Sequence, residues 1–240
     1  MKVTYIGHSG FLMEWENCVW LFDYYRGEIP YVSPEKKVLV FVSHSHGDHF
    51  NPQIFERFAD YPQVEYILAS EVRHKVKRCG LSEKESGRVT FLKPHQSWQT
   101  KDGCGEDIRL YTCHSTDCGV AFLAEYQGKK IYHAGDLNWW VWQGESKQEY
   151  NKMTASYQRE IGLLKEKAGQ IDVAFAPLDP RQEEWYRLGM DYFLGQIDVQ
   201  TVFPMHFWGD YSVITRYQEE QPQYASRVIP LSREGYEVVM

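Results

Sequence analysis

Lys37-Val38-Leu39-Val40-Phe41-Val42-Ser43-His44-Ser45-His46-Gly47-Asp48-His49 runs from a continuous, valine-rich apolar stretch straight into a loop of metal-ligand side chains. A continuous apolar run with no polar alternation is the pattern of a strand buried on both faces, and such strands belong to sheets covered by helices. The loop behind it packs His44, His46, Asp48 and His49 into six residues. On extended backbone, residues two apart point the same way, so His44 and His46 can share one ion. The turn that Gly47 permits redirects Asp48 and His49 towards a second. A surface loop that is merely rich in histidine is the competing reading, and four ligand-type residues in six positions weigh against it.

Upstream, Val3–Ile6, Phe11–Met13 and Val19–Phe22 are short apolar runs separated by Gly7-His8-Ser9-Gly10 and Glu16-Asn17, which reads as an antiparallel start. Downstream, the pattern predicts a short helix after Pro52, a strand over Val64–Leu68 and a helical segment near Glu71–Arg78 that Cys79-Gly80 ends. Strands return at Val89–Leu92, Ile108–Thr112, Val120–Tyr126 and Lys130–Tyr132, the last two joined by the tight Gln127-Gly128-Lys129 turn. Met153, Tyr157, Ile161 and Leu164 share one face of a helix over Lys147–Lys167, and further strands fall at Val173–Ala176 and Thr201–Phe203. With no repeat, low-complexity run or linker, the order predicts one α/β domain over 1–240, strands inside and helices outside.

Composition narrows the function. In 240 residues, 43% hydrophobic and 25% charged, neither disorder nor a fibrous repeat is indicated. Thirty-three acidic against 26 basic residues give a formal charge of -7, so no nucleic-acid partner is expected. No run approaches the roughly 18 apolar residues of a membrane span, and the N-terminus lacks the apolar core of a signal peptide; a cytoplasmic protein without membrane contact is expected. Cys18, Cys79, Cys104, Cys113 and Cys118 contain no Cys-x-x-Cys pair and read as reduced structural thiols. The nine histidines carry more information, because imidazole is the commonest metal ligand.

The His-x-His-x-Asp-His order of His44, His46, Asp48 and His49 resembles the signature of the metallo-β-lactamase superfamily. Three later segments look like the rest of that pattern: Thr112-Cys113-His114-Ser115, Ala134-Gly135-Asp136 and Phe203-Pro204-Met205-His206-Phe207. The resemblance implies a four-layered αβ/βα sandwich, the metallo-β-lactamase fold, holding two divalent metal ions: zinc foremost, manganese or iron as alternatives. It assigns one ion to His44, His46 and His114, the other to Asp48, His49 and His206, and a bridging role to Asp136. Hydrolysis follows, with a shared hydroxide available near neutral pH and Asp48 as the catalytic residue that orients it. Because two dications outweigh the two carboxylates and the hydroxide, the pocket is expected to attract anions despite the acidic chain.

The Gly7-His8-Ser9-Gly10 opening and the Pro204-Met205-His206-Phe207 end look most like the L-ascorbate-6-phosphate lactonase-like branch, implying a small anionic ester or lactone substrate. A phosphodiesterase or small nuclease on the same ions, and a metal-binding protein with little turnover, are the alternatives. Family analogy also implies a homo-oligomer. Beyond the ligands, His8, Asp179 and Arg181 are candidate substrate contacts, each against the reading of a plain turn residue. Asp23 is a candidate support for the site, and His133 either supports it or packs on the sheet. His74 and His95 read as solvated. Trp139, Trp140, Trp142, Trp185 and Tyr186 either line a substrate mouth or pack a core.

Overall fold

Lys37–Val42 is a strand whose six residues are all buried, as a run without alternation requires. It lies inside a larger arrangement, which the computed structural model describes over residues 1–240. The strands in chain order are β1 (Lys2–Gly7), β2 (Gly10–Glu14), β3 (Cys18–Phe22), β4 (Lys37–Val42), β5 (Val64–Ala69) and β6 (Val89–Leu92). They continue as β7 (Ser97–Lys101), β8 (Asp107–His114), β9 (Val120–Tyr126), β10 (Lys129–His133), β11 (Gln170–Pro177), β12 (Asp198–Met205) and β13 (Tyr236–Val239). One sheet has the order β13-β1-β2-β3-β4-β5-β6 and the other β12-β11-β10-β9-β8-β7.

The two sheets face each other across an aromatic core. Phe11 meets Phe175 with ring centroids 4.4 Å apart, Phe22 stacks on His133 at 4.9 Å, and Phe41 meets Phe122 at 5.4 Å. Helices cover the outer faces: Lys147–Ala168 packs on β8, and Leu188–Gln196 lies over β11 and β12. The long helix starts at a reciprocal cap, in which Ser146 accepts from the Glu149 N–H while the Glu149 carboxylate accepts from the Ser146 N–H.

Strand direction decides where function can sit. β3 to β6 are parallel to one another, as are β10 to β12. Two antiparallel steps bring β1 into the same direction as β3, and β8 into that of β10. The C-terminal ends of β1, β3, β4, β8, β10, β11 and β12 therefore deliver their loops to one rim of the sandwich.

Two glycines let those loops close on one another. Gly119, in the turn between β8 and β9, has φ +72, and a Cβ there would lie 2.0 Å from the Ser43 carbonyl oxygen and 2.7 Å from His44 Cβ. Gly135, before Asp136, has φ +51, and its Cβ would fall 2.6 Å from Ser43 Cβ. Gly119→Ala combines left-handed backbone strain with an unrelievable backbone clash, and should cost about 3–5 kcal/mol of unfolding free energy. Urea unfolding checks it; a loss below about 1 kcal/mol, the size of an ordinary surface substitution's effect or a little more, contradicts the contact.

Candidate metal centre

The rim gathers the loop that ends β4 with residues from five other strand ends. His44, His49, Asp136 and His206 are buried, at 0%, 0%, 4% and 3% exposure. Asp136 sits between the imidazoles: its Oδ2 lies 3.3 Å from His44 Nε2, while its Oδ1 lies 3.2 Å from His49 Nε2 and 3.4 Å from His206 Nε2. One carboxylate thus presents one oxygen to each half of the cluster. The donors converge in four overlapping groups: His44, His46 and Asp136 on one side; His8, Asp48, His49 and His206 on the other; Asp23, His44 and His49 beneath them; and His46, Asp117 and Cys118 at the outer edge.

The far nitrogen of each ring is held. His49 Nδ1 lies 2.8 Å from Asp23 Oδ2, His206 Nδ1 2.9 Å from Asp179 Oδ2, and His44 Nδ1 2.9 Å from Ser43 Oγ. A carboxylate can only accept, so His49 and His206 carry their protons on Nδ1 and turn the Nε2 lone pair inward. There it faces Asp136, which offers only lone pairs. His8 Nε2, His44 Nε2, His49 Nε2 and Asp136 Oδ1 are buried without any hydrogen-bond partner. Lone pairs pressed together in a buried rim call for a proton or a metal cation between them, and imidazole and carboxylate donors at this spacing suit a divalent transition metal. The residues present fit the group that the His-x-His-x-Asp-His pattern implies.

Electrostatics agree. Burial opposes ionisation of Asp136, but His49 and His206 outweigh it and hold the carboxyl well below its ordinary range. Burial likewise opposes a charge on His49, yet Asp136 and then Asp23 push its affinity for a proton well above that of a free imidazole. Asp48 is held far down against its burial, chiefly by the close approach of His8 and by the His49 charge. Asp179 is depressed to about 2 in spite of burial, by hydrogen bonds from His206 and Arg181. The same rim concentrates backbone strain: His8, Asp23, His206 and Trp208 all take positive φ, at 53°, 39°, 63° and 54°.

The structure brings together six of the seven sequence-predicted ligands: His44, His46, Asp48, His49, Asp136 and His206. It does not bring His114. That residue ends β8 exposed, its N–H donating to Glu160 Oε2 at 3.1 Å, and it joins none of the converging donor groups. The neighbouring turn instead places Asp117 Oδ2 3.7 Å from His46 Nδ1.

Other candidates find definite places. His8 sits against Asp48, Nε2 to Oδ2 3.3 Å, and its ring lies 4.4 Å from that of His206. Asp179 is fully buried beneath His206 and clamps Arg181, accepting from its Nε and Nη2. Asp23 accepts from the Ser43 N–H and hydroxyl as well as from His49. His133 does both of its alternatives: it stacks on Phe22, hydrogen-bonds the Ser9 carbonyl at 3.0 Å and stands 3.9 Å from Asp23. His74 is exposed as expected, but His95 is not simply solvated, since its ring reaches Tyr111 Oη at 3.1 Å and Glu160 at 3.5 Å.

A cleft of about 410 Å³ opens onto the cluster. His46, Asp48, Asp136 and His206 form its floor, and Trp140, Trp142, Trp208, Met153 and Arg181 its walls. The aromatic question thus divides: Trp140 and Trp142 line the mouth, while Trp139 and Tyr186 are buried in the core and Trp185 packs against it. Trp208 and Met153 escape sequence reading. The one signal for Trp208 is its position two residues after His206.

Strand-end histidines and carboxylates from two facing sheets thus gather around one shared carboxylate at the rim of an αβ/βα sandwich. Residues 2–150 match the family model described as the Beta-lactamase superfamily domain, and the chain belongs to that family. Its fold is the metallo-β-lactamase fold. A UPF0173 metal-dependent hydrolase from Opitutus terrae is 47% identical over 149 residues, covering 57% of this chain and 63% of the relative. The UPF0173 metal-dependent hydrolase NEQ378 of Nanoarchaeum equitans is 28% identical over 211 residues, covering 86% and 84%. The chain spans a little under two thirds of the length of the Opitutus relative. Among solved structures, Igni18, a metallo hydrolase of Ignicoccus hospitalis, superposes with TM-score 0.70 at 15% identity, over 99% of this chain and 97% of that one. YhfI of Bacillus subtilis does so with TM-score 0.65 at 13% identity, over 99% and 98%.

Proposed function

We propose that the chain is a metal-dependent hydrolase that opens a small ester or lactone, the 240 residues acting as one catalytic unit around two divalent ions. The observation that carries this is the division of the Asp136 carboxylate, one oxygen facing His44 and the other His49 and His206, with orphaned buried nitrogens on both sides. His44, His46 and Asp136 would hold one ion; Asp48, His49, His206 and Asp136 the other. When bound, such ions acidify a water to near neutrality and polarise a substrate oxygen.

The protein's own groups do the rest. Asp48, on the cleft floor with its carboxyl held towards the ionised form, orients the attacking water and is the catalytic residue of this reading. Asp23, Asp179 and Ser43 fix the imidazole ring planes before substrate arrives. Trp140, Trp142 and Trp208 shield the cleft from bulk water and offer flat apolar walls. Arg181 stands over Trp208, 4.5 Å from guanidinium carbon to ring centroid, and spends Nε and Nη2 on Asp179, leaving Nη1 for an anionic substrate group. No helix is long and apolar enough to cross a membrane.

Hydrolysis of lactones, thioesters and bis-p-nitrophenyl phosphate, each with zinc, manganese or iron, tests the reading. Turnover of a lactone or ester that chelation abolishes and metal restores is expected. Cleavage of the phosphodiester alone would reassign the enzyme to phosphodiester chemistry, and silence across the panel would remove the catalytic reading altogether.

A further inference from the structure

The turn Ser115–Gly119 is held to the rim at both ends. Gly119 presses on the Ser43 carbonyl and His44, where nothing larger fits. Thr116 Oγ1 donates to the Asn138 carbonyl at 2.6 Å and accepts from the Asn138 N–H at 3.1 Å, tying the turn to the loop that follows Asp136. Asp117 lies between these anchors, its N–H turned to Ser115 Oγ at 3.2 Å, and its carboxylate forms part of the cleft wall beside His46. Donors sharing an ion at about 2.1 Å stand about 3–3.5 Å apart. The 3.7 Å between Asp117 Oδ2 and His46 Nδ1 is close to that separation, and to the 3.2–3.4 Å spacings around Asp136.

His114 is held elsewhere. Its backbone is fixed to the long helix by Glu160, a carboxylate only 3% exposed that reaches both the His114 N–H and the His95 ring. A tether at His114 on one side and contacts at Thr116 and Gly119 on the other deliver Asp117 and Cys118 to the edge of the site beside His46; burial keeps the Cys118 thiol protonated, while the Asp117 carboxylate stands 3.7 Å from His46 Nδ1 as a ready anionic donor.

We propose that Asp117, and not His114, completes the coordination of the ion held by His44 and His46. The assignment rests on the two-ion reading above and alters its chemistry. Three carboxylates, Asp48, Asp117 and Asp136, then face two dications, leaving a single formal positive charge on the cluster before any water is counted. Attraction for an anionic substrate passes largely to Arg181. An oxygen-richer donor set also accepts manganese or iron more readily than a purely imidazole-flanked one.

The test is metal binding by the full chain, stripped and reloaded with cobalt or manganese, with stoichiometry from elemental analysis and dissociation constants from titration. The wild type is expected to take up two ions. D117A and the isosteric D117N should each bind one of them at least about 100-fold more weakly, since even removing a ligand's support costs 10–100-fold. H114A should match the wild type, and urea unfolding of each variant establishes that it folds. Full two-ion affinity in D117A and D117N, or loss of an ion in H114A, overturns the assignment. A wild type that binds only one ion defeats the two-ion reading separately; Asp117 then stands or falls on whether D117N weakens that single ion.

Discussion

Asp136→Asn should lose at least one ion and lower hydrolysis by about 1,000-fold or more, the largest effect of any single change in this protein. Asp136 is 4% exposed and meets three imidazole nitrogens with two oxygens. An amide in its place keeps the shape but removes the negative charge, and turns N–H groups towards at least one side of the cluster. That side loses its shared donor and gains a group that repels a cation. Elemental analysis beside ester or lactone turnover checks both halves of the expectation. A variant that keeps two ions and wild-type turnover would show that Asp136 is not shared between them.

The second large effect belongs to a residue outside the ligand set. Asp23→Ala should cost about 3–5 kcal/mol of unfolding free energy in metal-free protein, the penalty for breaking a buried charged network by removing one partner. It should also weaken metal binding about 10–100-fold. Asp23 is completely buried and accepts three hydrogen bonds, from the Ser43 N–H, the Ser43 hydroxyl and His49 Nδ1. Its loss strands all three donors and frees the His49 ring to rotate. Asp23→Asn, which retains one acceptor oxygen, should fall between the variant and the wild type. Urea unfolding and metal titration measure the two effects; changes under about 1 kcal/mol and twofold would mean that water replaces the carboxylate.

Much of the fold was legible because its inner strands carry unambiguous patterns. Val38–Val42 and Val173–Ala176 are apolar throughout, and the long helix carries an apolar stripe. Two of the four edge strands were not legible, for a physical reason. Ser97–Lys101 and Tyr236–Val239 pair on one side only and alternate between exposed and half-exposed residues, so burial imposes no apolar signature. The stretch near Glu71–Arg78, read as one helical segment, is a run of single turns: Ser70–Val72, Arg73–Val76 and Lys77–Cys79, closed by left-handed Gly80.

The site divides along a similar line. His44, His46, Asp48 and His49 are local in sequence and announce themselves by spacing. Asp23 and Asp179 act through histidines 26 and 27 residues away, a relation that only folding creates. Asp117 was hidden by its neighbour, because His114 stands three positions earlier with the residue type that ligand patterns favour. What separates the two is the Glu160 tether and the glycine contact beneath the turn, neither of which is written in local sequence.

Asp136 comes from the turn that follows β10, while His44 and His49 come from the loop that follows β4 in the opposite sheet, so an ion between them would tie the two halves of the sandwich at their rim. Such an ion binds the native chain and has little to grip once the sheets part. Each tenfold rise in free metal above the dissociation constant then adds about 1.4 kcal/mol to resistance against unfolding, by mass action alone. On the proposed two-ion reading, the metal content of the medium becomes a setting for the protein's lifetime as well as its catalysis, with chelation loosening the rim while the aromatic core between the sheets stays packed.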